Sequence, residues 1–316
     1  MIFLKKPLII LTGPTAVGKT KLSISLAQAV NGAIISADSM QVYRHMDIGS
    51  AKIRPEEMCG VPHYLIDVLD PSEEFHVVKF VELAHEAMEK IYAAGQIPIV
   101  TGGTGFYIQA LLKEVDFTES HGELPIRKQL EEKAATEEGA AELYRELSEV
   151  DPASAETIHP NNVKRVIRAL EYYHETGQKI SEHNEEQKQK ESPYCSAYFV
   201  LNDERSILYD RIDRRVDQMI CDGLVDEVFR LKEMGYTRDL VSMQGLGYKE
   251  LFPYLAGECT LEEAVYIIKR DTRHFAKRQL TWFRRNPDIH WLRLTGTEDF
   301  SEVLSAARQN IPFSAF

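Results

Sequence analysis

Residues 7–29, PLIILTGPTAVGKTKLSISLAQA, constrain this chain more than any other stretch. Residues 8–11 are a short apolar run of strand formers, and Leu22, Leu26 and the Ala29/Val30 pair then recur at helical spacing. Between them, Gly13-Pro14-Thr15-Ala16-Val17-Gly18-Lys19-Thr20 meets every fixed position of G-x-x-x-x-G-K-[ST], in the strand-to-helix setting that the pattern needs. Gly13 and Gly18 let the backbone turn its N–H groups inward around a polyanion, and the start of the helix adds partial positive charge. Lys19 brings a full charge to phosphate oxygens, and Thr20 offers a hydroxyl to Mg²⁺. An accidental glycine turn would not require this flanking pattern. Residues 13–20 therefore predict a loop for a diphosphate or a nucleotide, and leave the reaction open.

At 316 residues the chain exceeds one typical domain, so a large α/β domain with an insertion, or two domains, is expected. No apolar run reaches the ~20 residues of a membrane span. The N-terminal MIFLKKPLIIL has no small-residue cleavage site, so it reads as the first buried strand and the expected location is cytoplasmic. Cys59, Cys195, Cys221 and Cys259 are widely spaced without a C-x-x-C pair, as reduced thiols would be, and outline neither a zinc site nor a disulfide framework. The net charge of −12 argues against a generic nucleic-acid binder. Against that background, residues 269–285 concentrate seven Lys/Arg with one acid, Asp271, which suggests an anionic partner.

Residues 33–37 read as a second strand that ends at Asp38-Ser39-Met40-Gln41. In an open parallel sheet, ligands lie beyond the carboxyl ends of strands, and Asp38 falls there beside the phosphate loop. Such a carboxylate can serve as a general base, bind a hydroxyl or help hold Mg²⁺; capping the next turn is the plainer role. Residues 46–54 form a turn carrying Lys52 and Arg54, and residues 64–69 look like a third strand with Asp67 and Asp70 near its end. No four-residue apolar run followed by Asp-Glu is present, which weakens an ATPase or motor reading. An amphipathic helix from Val77 to Ile91 closes at Gly95. The strand at 97–100 then opens into Thr101-Gly102-Gly103-Thr104-Gly105, a second glycine turn able to approach the same phosphates.

The texture changes near Lys113. Residues 114–197 lack strand-helix alternation and predict a helical insertion, with helices around 125–148 and 160–176 and a polar, mobile loop at 181–192. The core is expected to comprise 1–113 and 198–316. Within the insertion, Arg127 lies near the start, and Lys164 and Arg168 share a helix face, as a solvated charged surface would also show. The strand at 198–201 precedes a helix carrying Arg211 and Arg215 one turn apart, a possible phosphate clamp or a set of surface ion pairs. A flexible turn at 244–248, the basic helix, a late strand at 289–292 and a terminal helix complete the chain.

These segments resemble the bacterial tRNA dimethylallyltransferase (tRNA isopentenyltransferase) family. The likeness covers nearly the whole chain: GPTAVGKT at 13, ISADSMQVYRHMDIGSAK at 35, VTGGTGFYIQAL at 100, DPASAETIHPNNVKRVIRALE at 151, RIDRRVDQM at 211, QGLGYKE at 244 and KRQLTWFRR at 277. It implies an α/β, P-loop NTPase-like parallel sheet flanked by helices, with the inserted helical domain gripping the tRNA anticodon stem-loop. It also implies transfer of a dimethylallyl group from dimethylallyl diphosphate to N6 of the adenosine just 3′ of the anticodon, with pyrophosphate released and Mg²⁺ as cofactor. Lys19, Asp38, Thr104 and Arg215 become the catalytic candidates, residues 13–20 the diphosphate loop and Thr20 the metal ligand. The tRNA-binding candidates are Asp38, Ser39, Met40, Gln41, Thr104, Arg127, Asn162, Val163, Lys164, Arg165, Val166, Gln244, Gly247, Tyr248, Lys277, Arg278, Gln279, Trp282 and Arg284. No membrane partner is implied, and a monomer is expected. Two alternatives fit the loop and Asp38: an adenylate isopentenyltransferase acting on free AMP or ADP, and a P-loop small-molecule kinase. Neither accounts for the insertion and the basic helix.

Overall fold

The computed structural model describes residues 5–116, 125–293 and 298–310. In chain order the elements are β1 (Lys6–Thr12), α1 (Lys19–Ala29), β2 (Gly32–Ser36), β3 (His63–Tyr64), α2 (Val77–Ala93), β4 (Ile97–Gly102), α3 (Gly105–Lys113), α4 (Pro125–Lys133), α5 (Glu137–Val150), α6 (Pro152–Thr157), α7 (Val163–Thr176) and α8 (Ile180–Gln189). They continue as β5 (Tyr194–Asn202), α9 (Arg205–Cys221), α10 (Leu224–Glu233), α11 (Leu251–Leu255), α12 (Leu261–Phe283), β6 (His290–Arg293) and α13 (Glu298–Asn310). The chain divides into two compact units, 1–112 with 193–316, and 113–192.

The first unit is built on six parallel strands in the order β3-β2-β4-β1-β5-β6. Leu8 and Ile10 of β1 enter one buried cluster, and Ile9 and Leu11 enter another. The strand is thus covered on both faces, which explains why its sequence is continuously apolar instead of alternating. Parallel pairing requires long crossovers, and the amphipathic α2 supplies one by burying Phe80, Ala84, Ala87, Met88 and Ile91. Central β1 lies between β4 and β5, so the loops leaving β1, β4 and β2 emerge side by side at one edge. The expected strand at 64–69 is cut to two residues. Leu65 and Asp67 take positive φ values of 62° and 56°, which break the extended run, and one bridge between Tyr43 and Leu69 remains. The strand expected at 198 begins at Tyr194, where Lys6 pairs with it. Residues 1–4, which the hydropathy pattern joined to β1, lie outside the described residues.

The second unit is helical. Leu143, Leu147, Val166 and Leu170 form its centre, each almost wholly removed from water and each contributing about 2 kcal/mol. The helix expected over 125–148 is two helices, because Gly139 packs on the Lys133 backbone and Thr136 caps α5 by accepting from Gly139 N at 3.1 Å. The loop expected at 181–192 is largely helix α8. Its first turn is fixed by Asp151, whose Oδ2 accepts from Ser181 N at 3.0 Å and whose Oδ1 accepts from Ser181 Oγ at 2.6 Å.

Candidate functional site

Three loops meet at the carboxyl edge of the sheet and are tied together by threonine hydroxyls and backbone hydrogen bonds. Thr12 Oγ1 donates to Gly102 O at 2.6 Å, and Thr101 Oγ1 donates to Leu11 O at 2.9 Å. Ala37 N donates to Thr101 O at 2.7 Å, and Thr104 N donates to Ala37 O at 3.3 Å. A Cβ on Gly102 would run into the Ala37 backbone, so this close approach requires glycine. The P-loop, the 102–104 turn and Asp38 are thereby held as neighbours.

The P-loop reaches α1 through left-handed backbone at Ala16 (φ 63°) and Gly18 (φ 101°), while Gly13 (φ 151°) lies against β5. A Cβ on Gly13 would come within 2.5 Å of Leu201 O. Lys19, the first residue of α1, folds back so that Nζ donates to Gly13 O at 3.0 Å and Pro14 O at 2.8 Å. Burial, then the adjacent Arg215 cation, bring its pKa down to about 8 against the opposing pull of Asp38. Burial also lowers Arg215, again opposed by Asp38. Two cations and one carboxylate, each half-buried, therefore share one site, with an excess of positive charge that a polyanion would relieve.

Asp38 Oδ1 accepts from Met40 N at 2.9 Å, an Asx turn that fixes the side chain and leaves Oδ2 without a hydrogen bond among the described residues. The capping role and a chemical role thus coexist on two oxygens. The hydroxyls of Thr20 and Thr104 are likewise uncommitted among the described residues. No cluster of three or more His, Cys, Asp or Glu side chains suited to a metal occurs among them.

Several of the other candidates lie where a polyanion could reach them. Lys277, Arg278 and Arg284 are exposed and without ion pairs among the described residues, whereas Lys269, Arg270 and Arg273 are paired with Asp217, Asp271 and Asp213. Arg278 lies over the Phe275 ring, and Trp282 packs across Gly105 and edge-on to Phe106. Gln244 is exposed with its amide donating to Arg238 O, and Ser39 is half-buried. In the helical unit Asn162, Lys164 and Arg165 are exposed. Arg127 pairs with Glu131 and, at 3.3 Å, with the buried Glu171, which Arg168 also meets at 2.9 Å.

Others are committed to the fold. Val166 is in the helical unit's core, and the half-buried Val163 packs against it. Tyr248 is fully buried, its phenol donating to Glu227 at 2.7 Å, and Gly247 N donates to Glu250 at 2.8 Å. Met40 packs against Gly245. Gln41 accepts from Ser36 Oγ at 3.0 Å and donates to Ser50 O and Ala51 O, so its amide is already used. Arg211 pairs with the buried Asp203 at 2.9 Å, so of the clamp and the ion pair the sequence left open for it, the ion pair is the one observed. Gln279 is buried between the two glycine loops.

Sequence reasoning passed over Glu227. This buried carboxylate accepts from the N–H groups of Asp47, Ile48 and Gly49 at 3.0, 2.8 and 3.0 Å and so fixes the loop that holds Gln41. In GLVDEV it looks like any acid in a helical first turn, and only the fold reveals it.

A family model described as IPP transferase matches residues 41–286, and a second, Isopentenyl transferase, matches 6–74. The chain is 66% identical to the tRNA dimethylallyltransferase of Lachnoclostridium phytofermentans over 91% of each protein. This chain belongs to the IPP transferase family. Its fold agrees: the tRNA isopentenylpyrophosphate transferase of Bacillus halodurans superposes with TM-score 0.73 and 43% identity, covering 97% of this chain and 98% of the other. A eukaryotic dimethylallyltransferase acting on tRNA superposes with TM-score 0.81 and 35% identity, covering 95% of this chain and 77% of the other. The six-stranded parallel sheet flanked by helices is the P-loop NTPase-like architecture of that family. Among the described residues no helix is long and apolar enough to cross a membrane.

Proposed function

We propose that this IPP transferase moves the dimethylallyl group of dimethylallyl diphosphate onto N6 of the adenosine just 3′ of a tRNA anticodon. The observation that carries this reading is the convergence of the P-loop, the Lys19/Arg215 cation pair and the half-free Asp38 carboxylate at one edge of the sheet. Allylic diphosphates ionise readily at C1, so the enzyme must stabilise the leaving pyrophosphate and hold a nitrogen in line. Lys19, Arg215, the loop amides and the Thr104 hydroxyl bind the diphosphate oxygens. As the C1–O bond breaks, its electron pair leaves with pyrophosphate, and the N6 lone pair forms the C1–N bond. The ring-delocalised amine is a weak nucleophile, and Asp38 Oδ2 accepts the N6 proton as the C1–N bond forms.

Mg²⁺ prefers oxygen ligands, and the uncommitted Thr20 hydroxyl at the start of α1 fits it. Bound there, the ion would neutralise charge on the diphosphate. The adenine must leave the loop stack at a cost of a few kcal/mol. Phosphate contacts from Lys277, Arg278 and Arg284, and from Lys164 and Arg165 of the helical unit, offset it, their exposure supporting this role. On this reading the helical unit grips the anticodon stem-loop. The work is done in the cytoplasm, where bacterial tRNA matures.

The distinguishing experiment offers Mg²⁺ and an anticodon stem-loop RNA with either dimethylallyl diphosphate or ATP. Pyrophosphate release with the allylic substrate alone is expected. ATP turnover without allyl transfer would instead indicate a kinase or ATPase, and transfer to free AMP with no RNA affinity an adenylate isopentenyltransferase.

A further inference from the structure

Gln279 stands apart in the basic segment. Lys277 and Arg278 beside it are exposed, whereas Gln279 is 6% exposed and turned into the protein. Its amide makes one bond at each end: Oε1 accepts from Thr15 N at 3.0 Å, and Nε2 donates to Gly103 O at 3.0 Å. Thr15 is in the P-loop, and Gly103 is in the turn that carries Thr104. A Cβ on Gly103 would run into Gln279 Nε2, so any larger residue there would push the amide off its two partners.

We propose that Gln279 is a positioning residue of the diphosphate cradle, a strut from α12 that sets the spacing between the P-loop and the 102–104 turn. The resemblance implied an RNA contact at this position; burial and the two committed ends of the amide argue otherwise. An amide is required because one end must accept from an N–H and the other must donate to a carbonyl. The proposal rests on the P-loop as the diphosphate site, and its test reads pyrophosphate binding directly.

Mg²⁺-pyrophosphate is titrated calorimetrically into the full-length protein, and affinity for an anticodon stem-loop RNA is measured alongside, for wild type, Gln279→Met and Gln279→Glu. Gln279→Met keeps the shape and loses both bonds, and should weaken pyrophosphate about tenfold while RNA affinity stays within about twofold. Gln279→Glu faces the Gly103 carbonyl with a second acceptor and adds negative charge, so it should weaken pyrophosphate further. Gly103→Ala displaces the same amide and should reproduce the Met variant, and combining the two should cost no more than either alone. It also carries the test should Gln279→Met fail to fold. Unchanged pyrophosphate affinity, with or without a fall in RNA affinity, would overturn the proposal. So would an equal loss of both affinities with a lowered melting temperature, the mark of a merely structural residue. Failure of allyl transfer by the wild type, with its pyrophosphate binding intact and weakened in the Gln279 variants, would count against the proposed function and support the strut.

Discussion

Burial and the neighbouring Arg215 bring the Lys19 pKa from 10.5 to about 8. A bound diphosphate supplies the missing negative charge and raises that value again, so the complex holds more protons than the free protein above pH about 8. Diphosphate affinity should therefore be full below pH about 8 and decline above it. Titration calorimetry near pH 9 in buffers of different ionisation enthalpy should detect proton uptake that Lys19→Met abolishes. An equal uptake in the variant would assign it to the ligand. For folding the sign is opposite: the unfolded chain binds the extra proton between about 8 and 10.5, so stability attributable to this residue rises with pH across that window. The placing of Lys19 and Asp38 at the sheet edge was legible in the sequence because local motifs at strand ends fix it. Tyr248 and Gln279 were not, because their partners, Glu227, Thr15 and Gly103, are distant in the chain.

At the scale of elements, Asp151 shows how a polar segment becomes ordered. It ends α5, caps α6 by accepting from Ser154 N at 3.1 Å and Ser154 Oγ at 2.7 Å, and binds the first turn of α8 through Ser181. Burial alone would raise its carboxyl pKa, but the hydrogen bonds from Ser181 and Ser154 outweigh it and hold the group below the usual carboxylate value. The stabilisation is present above the unfolded pKa near 3.8 and lost as pH falls through the lower folded value. Asp151→Ala should destabilise the helical unit by about 2 kcal/mol at neutral pH, and Asp151→Asn should also flatten the acid limb of its unfolding profile. Denaturation followed by helical circular dichroism between pH 2.5 and 7, at roughly half-unit intervals, checks both. An unchanged midpoint would remove Asp151 from this role. Helix α8 escaped sequence reading because its only fully buried side chain is Gln187, so no apolar stripe marks it. The short β3 was overread for the opposite reason: its residues look strand-like, and positive φ at Leu65 and Asp67 leaves no trace in hydropathy.

Across the molecule, the strand order β3-β2-β4-β1-β5-β6 converts sequence separation into proximity. It brings the turn after Gly102 and the Asp38 segment beside the P-loop, while α9 and α12 add Arg215 and Gln279. Fold class and the insertion could be read from hydrophobic periodicity and a compositional break; which basic residues stay free of acidic partners could not, since pairing is decided by packing. The central claim is that Asp38, facing the Lys19/Arg215 cradle, receives the proton when an adenosine amine is allylated. Mass spectrometry of nucleosides from unmodified tRNA incubated with protein, Mg²⁺ and dimethylallyl diphosphate tests it most directly, comparing wild type with Asp38→Asn. Wild type should yield N6-(dimethylallyl)adenosine and release pyrophosphate, and Asp38→Asn should form it at least ~10²-fold more slowly while still binding pyrophosphate. Equal rates in the two proteins, or no allylated adenosine with wild type, would contradict the claim.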